Sequence, residues 1–220
     1  MVVSQNLVQK TAEYVKQKLI IEHTGHDWYH VERVWQMAKR IQKAEGGNLE
    51  LVELAVLLHE FENFRQQYQT SDLKGPFILL GMMDVLDIDK DVQDKIVKII
   101  DESQFNGSET RVPSTIEGRI VQDADWLETI GALGIARIFA TGGYIQRMIH
   151  DPKRKPRRKM SKKDYQLRKR EGTSFNYFYE KAFKLPKLMN TKLGKAIALK
   201  REQYLHNFIE EFLAEWDGEK

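Results

Sequence analysis

Three short stretches of this 220-residue chain set imidazole and carboxylate groups beside residues that belong in a core. They are Gly25-His26-Asp27-Trp28-Tyr29-His30-Val31-Glu32-Arg33-Val34, Leu57-Leu58-His59-Glu60-Phe61-Glu62-Asn63 and Val121-Gln122-Asp123-Ala124-Asp125-Trp126-Leu127. Burying a carboxylate costs several kcal/mol unless it is paired or coordinated. A cation held by two imidazoles and two carboxylates would satisfy all three stretches at once. That mixed nitrogen and oxygen set suits manganese, ferrous iron, nickel or zinc better than calcium. Each piece also has an ordinary reading. A lone core histidine is usually just hydrogen-bonded. Asp123 and Asp125 could cap a helix or form ion pairs. It is the combination that points to a metal.

The elements that must carry these groups are helical. Val8, Ala12, Val15 and Leu19 recur at helical spacing, as do Val31, Val34, Ala38 and Ile41. Residues 51–58 are almost entirely apolar and Leu-rich, which predicts a buried helix ending in His59 and Glu60. Ile116, Ile120, Ala124 and Leu127 mark a further helix, and Leu193 to Phe212 a long final one. Gly46-Gly47 should end the second helix, with Asn48 capping the third. Gly75-Pro76 interrupts the middle of the chain, and Pro113-Ser114 precedes the helix carrying Val121 to Leu127. Gly142-Gly143 should close a helix that begins near Trp126. No alternating β pattern and no internal repeat is present. The expectation is a single all-α domain over residues 1–220.

Composition narrows the function classes. Apolar residues make up 41% of the chain but never run to about eighteen in a row, so no membrane span is expected. There is no cysteine, which excludes disulfides and thiolate metal sites and fits a cytoplasmic location. The N-terminus lacks the apolar block of a signal peptide. The net charge of +3 is uneven. Residues 151–171 hold eleven Lys and Arg against three acids, leaving the rest of the chain acidic. This segment has few apolar residues and reads as a flexible excursion. Its ordinary role is a solvated loop. It could also close over an anionic substrate or bind nucleic acid through 153–170, although Tyr165 is the one aromatic inside it.

At these residues the sequence resembles the HD superfamily of metal-dependent phosphohydrolases. It is similar to a bacterial subgroup that opens with Gly-His-Asp-aromatic-aromatic-His, as residues 25–30 do here. Glu117 to Asp125 and Ile130 to Arg137 match its second signature, and Ser103 to Gly107 a connecting motif. In the tail, Phe178, Lys181, Leu185, Thr191, Ala198 and Arg201 also follow the subgroup. The resemblance spans roughly residues 5–215. It implies an HD-type helical bundle that binds a divalent metal (manganese, iron, nickel, magnesium or zinc). It also implies hydrolysis of nucleotides or other small phosphate esters by water activated at that metal.

Carried over residue by residue, the resemblance makes His30, His59, Glu60 and Asp125 metal ligands, with Asp123 as the alternative to Asp125. Glu60 stands where the family has aspartate, and Asn63 where relatives carry an acid that helps activate water. Glu62 lies next door, but about 100° around the helix from Asn63. His26 would contact phosphate or donate a proton, on the same face as His30 if the helix starts that early. Arg33 would bind phosphate or pair with a carboxylate. Asp27 would orient a histidine or cap the helix. Arg119 and Arg137 would give structural support. Glu60 and Asn63 also motivate a second reading, a metal- and nucleotide-binding protein without turnover. Di-iron oxygenases share the architecture but need further histidine ligands, and His23, His150 and His206 sit in no matching motif. The oligomeric state is not encoded in any of these features.

Overall fold

In the computed structural model the backbone is described for residues 2–20, 24–68, 76–167 and 172–220, and side chains for 6–20, 24–61, 78–165 and 172–220. The fold is all-α. Among the described residues there is no strand, only an isolated bridge between Met148 and Thr173. The helices are α1 (Val2–Leu19), α2 (Trp28–Glu45), α3 (Leu49–Tyr68), α4 (Pro76–Val85), α5 (Lys90–Ser103) and α6 (Ile116–Leu127). They continue with α7 (Gly131–Tyr144), α8 (Lys162–Leu167), α9 (Ser174–Glu180), α10 (Leu185–Leu188) and α11 (Lys192–Trp216). Among the described residues no helix is long and apolar enough to cross a membrane. The chain forms two compact units, Met1–Gln104 with Arg111–Ala124 and Phe105–Thr110 with Asp125–Lys220.

In the first unit α3 is the hub. Apart from Glu53, residues 51–58 are apolar, so the helix needs cover on most sides, and α1, α2, α4 and α5 all pack on it. Val52 and Leu54 through Leu58 are buried with it. Opposite them lie Val31, Val34, Ala38 and Ile41 of α2, the predicted stripe, all fully buried. The boundary predicted between α2 and α3 holds, whereas α3 does not end at His59 and Glu60 but runs on to Tyr68. Gly46 ends α2 at φ 85°, and the Asn48 side chain accepts from Leu51 N at 3.1 Å to cap α3. Gly75 lies outside the described residues, and α4 begins at Pro76.

The expected helix from Trp126 to Gly142-Gly143 is two helices. α6 ends at Leu127, and α7 starts at Gly131, whose φ of 78° breaks the helical run. In the second unit α7 packs on α9 and α11. Phe139, Phe178, Phe208 and Phe212 are in ring contact at their centre. The described part of the basic segment is tied down at several points. Asn176 Nδ2 donates to Arg154 O at 2.9 Å, and Lys184 Nζ to Arg158 O at 2.7 Å. Arg157 N donates to the buried Glu180 carboxylate at 2.8 Å, and Met160 is 2% exposed.

Candidate metal centre

The Asp27 side chain starts α2 by accepting from His30 N at 2.8 Å, so capping is its observed role. That cap fixes the first turn and turns His30 inward to complete burial. His26 precedes the cap and is not on the helix, contrary to the expectation of an early start. It follows Gly25, at φ 87°, and its ring still reaches the same place as His30. His59 and Glu60 leave the apolar run of α3 with 4% and 1% exposure.

These groups converge on one atom. Glu60 Oε1 lies 2.9 Å from His26 Nδ1, 2.9 Å from His30 Nε2 and 3.3 Å from His59 Nε2. Burial pushes the Glu60 carboxyl up, but the charge of His26 and the three imidazoles set against its oxygen outweigh it. The group stays well below the ordinary carboxylate range.

Asp125 completes the set. α6 belongs to the first unit up to Ala124, and Asp125 is the next residue of the same continuous helix. His30, His59, Glu60 and Asp125 each offer one ligand atom, all within 4.8 Å of one another. The cluster is able to hold a metal ion. Asp123 is fully buried but is not part of it. The donor chemistry passes a further test at His59. Its Nδ1 hydrogen-bonds the Val56 carbonyl, which can only accept, so Nδ1 carries the proton. The neutral ring then has its lone pair on Nε2, the atom facing Glu60 Oε1. Two acceptors at 3.3 Å suit a shared cation.

Other expected residues are placed as follows. Arg33 is part-buried on α2. Glu62 and Asn63 fall on the end of α3, where side chains lie outside the described residues, as does His23. Arg119 and Arg137 hold backbone, through Arg119 Nε to Pro113 O and Arg137 NH1 to Glu128 O, both at 3.0 Å. Arg201 NH1 donates to Leu127 O. Besides the bond from Ile130 N to Leu127 O, two arginines thus reach the Leu127 and Glu128 carbonyls just beyond Asp125, which the helical pattern alone does not reveal. The sequence reading also gave Lys181 no role. Burial alone would lower its pKa, but Tyr165, Tyr177 and Asp125 raise it, so it stays charged. Its ammonium lies 5.4 Å from the centre of the Phe105 ring. His150 packs at a tilt on Phe175 and His206 stacks on Phe183, and neither joins a ligand cluster among the described residues.

This is a helical bundle with a histidine and carboxylate cluster able to hold a metal. Comparison with known proteins gives the family. The HD domain model matches residues 27–130. YpgQ of Bacillus subtilis is 31% identical over 202 residues, covering 89% of this chain and 87% of YpgQ. The chain belongs to the HD-domain superfamily. A structure from Lactobacillus plantarum superposes with a TM-score of 0.87 at 37% identity, covering 97% of this chain and 98% of that one. An HD-superfamily hydrolase from Bacillus thuringiensis superposes at 0.68 with 36% identity, covering 97% and 98%. YpgQ in complex with ADP superposes at 0.69 with 26% identity, covering 93% and 95%.

Proposed function

We propose that this protein is a metal-dependent phosphohydrolase acting on a nucleotide or another small phosphate ester. The observation that carries the reading is the meeting of His30, His59, Glu60 and Asp125 within 4.8 Å. These four would hold the metal, with manganese, iron, nickel, magnesium or zinc as candidates. A divalent cation, when bound, lowers the pKa of water toward neutrality and offsets charge on phosphoryl oxygens. His26 is the partly exposed imidazole of the cluster, at 23%, and would pass a proton to a leaving oxygen. Arg33 and Lys181 supply cationic groups for phosphate. The ADP complex of YpgQ supports a nucleotide as substrate. We take residues 1–220 as one HD-like domain, in keeping with the 89% of the chain that aligns with YpgQ.

A second reading, binding without turnover, is favoured by Asn63, an amide that cannot accept a proton at useful pH. Phosphate release from a nucleotide panel with manganese separates the two, with His59→Ala as control. Release by the parent and none by the variant is expected. Equal release from both would remove the catalytic reading.

A further inference from the structure

Within the second unit the basic segment borders a cleft of about 360 Å³. Arg154, Lys155 and Arg158 line it, together with His150, Asn176, Phe175 and Tyr179, and no carboxylate does. None of the four candidate metal ligands lies in it.

The three cations are not the loose ends of a solvated run. The backbone of this stretch is fixed by the bonds from Asn176 and Lys184 and to Glu180 described above. Lys155 is exposed, as are Arg154 and Arg158, and Arg154 pairs at 3.1 Å with Asp151. Three cations held around one concavity match an anion with several oxygens, which guanidinium groups engage in pairs. The aromatic side adds a second requirement. Tyr179 is half-buried beside the buried Phe175, ring centres 5.8 Å apart, and offers one aromatic ring that a planar ring can stack on. His150 Nδ1 is a buried nitrogen with no hydrogen-bond partner among the described residues. An unmet buried polar atom costs about 1–3 kcal/mol, which a ligand hydroxyl could relieve. Burial lowers the pKa of His150, so its ring stays neutral and able to accept. The cleft volume falls at the lower end of the range for small-molecule sites. A nucleic-acid strand would instead need several exposed rings in succession.

We propose that this cleft binds a nucleotide, its phosphates on Arg154, Lys155 and Arg158 and its base against Tyr179. The site is independent of any turnover at the metal centre, so either can fail without the other. The test is calorimetric titration of the full chain with ATP in excess EDTA. Compared are the parent, His30→Ala, the triple variant R154A/K155A/R158A and Tyr179→Leu, each checked for an unchanged helical signal. The parent and His30→Ala should bind alike. The triple variant should lose about tenfold or more in affinity, as expected for removing three phosphate partners. Tyr179→Leu should weaken ATP but leave inorganic pyrophosphate unchanged. Unaltered ATP affinity in the triple variant would overturn the site, as would binding abolished by His30→Ala. An equal effect of Tyr179→Leu on ATP and pyrophosphate would overturn the nucleotide assignment. So would a single-stranded RNA that binds more tightly than ATP and depends on the same three cations.

Discussion

His30 Nε2 and Glu60 Oε1 lie 2.9 Å apart with the two side chains 0% and 1% exposed. The contact joins the first turn of α2 to the end of the apolar run of α3, and His26 and His59 meet the same oxygen. Glu60 therefore has two tasks. It organises the imidazoles in the metal-free protein and would offer an oxygen to a metal.

Substitution separates these tasks. Glu60→Ala leaves buried imidazoles without their acceptor, and the metal-free protein should lose about 3 kcal/mol of stability. Glu60→Asp keeps a carboxylate on a stem shorter by one methylene. It should retain metal at the parent's stoichiometry while losing the contact with His26. Urea unfolding in EDTA and elemental analysis of purified protein read the two effects. If Glu60→Asp lost metal as fully as His59→Ala, the geometry of the ligand set would have to be revised.

Much of this centre is legible in the sequence, because an imidazole or carboxylate set into an apolar helical stripe has few other uses. His30 beside Val31, and His59 after seven apolar residues of eight, are such cases. Other features are silent in one dimension. His26 reaches Glu60 from a loop, and helical spacing predicts its location for the wrong reason. The break between α6 and α7 depends on Gly131 at positive φ, while the surrounding apolar pattern reads on unbroken. The nearness of Lys181 to Asp125 arises from residues far apart in the chain, which no local spacing records.

Arg201 is expected to support Asp125 through the helix end. Its guanidinium donates to Leu127 O, and its stem packs where a Cβ on Gly131 would lie, with Cγ at 3.1 Å. Arg201→Met keeps the apolar stem and removes the donor. It should cost about 1 kcal/mol, since Leu127 O keeps its bond from Ile130 N at 3.3 Å. Metal affinity should fall with it, because the turn carrying Asp125 is released. Metal titration against a competing chelator measures this. Full destabilisation with unchanged affinity would limit Arg201 to the fold.

Glu102 gives a pH signature outside the metal centre. Slight burial pushes its carboxyl up. Hydrogen bonds from the Ser114 N–H and hydroxyl, then the charges of Lys98 and Arg111, bring it below its ordinary value. A folded pKa below the unfolded one means the contribution is complete above the unfolded value. It disappears as pH falls through the folded one. The site is near the surface, so the contribution should be under about 1 kcal/mol. Glu102→Gln should therefore be slightly less stable than the parent at neutral pH. Denaturant midpoints should converge in acid below the usual carboxylate range. A gap that stayed constant with pH would assign the effect to packing.

Gly107→Ala tests how the basic segment is anchored. Gly107 has φ 62°, a region that costs an L-residue about 1–2 kcal/mol. A Cβ there would also sit 2.4 Å from Met160 O, a backbone atom that cannot swing aside. That carbonyl accepts from Ser108 N at 2.8 Å and Ser108 Oγ at 2.9 Å. Relieving the clash thus means giving up two hydrogen bonds that hold the end of the basic segment. Lys and Arg at 153–159 should then open to trypsin more often, because cleavage follows the population of open states. Faster cleavage there in Gly107→Ala, with metal content unchanged, is the expected result. Cleavage at the parent's rate would mean that the bonds from Asn176 and Lys184 and to Glu180 hold the segment without help from Met160.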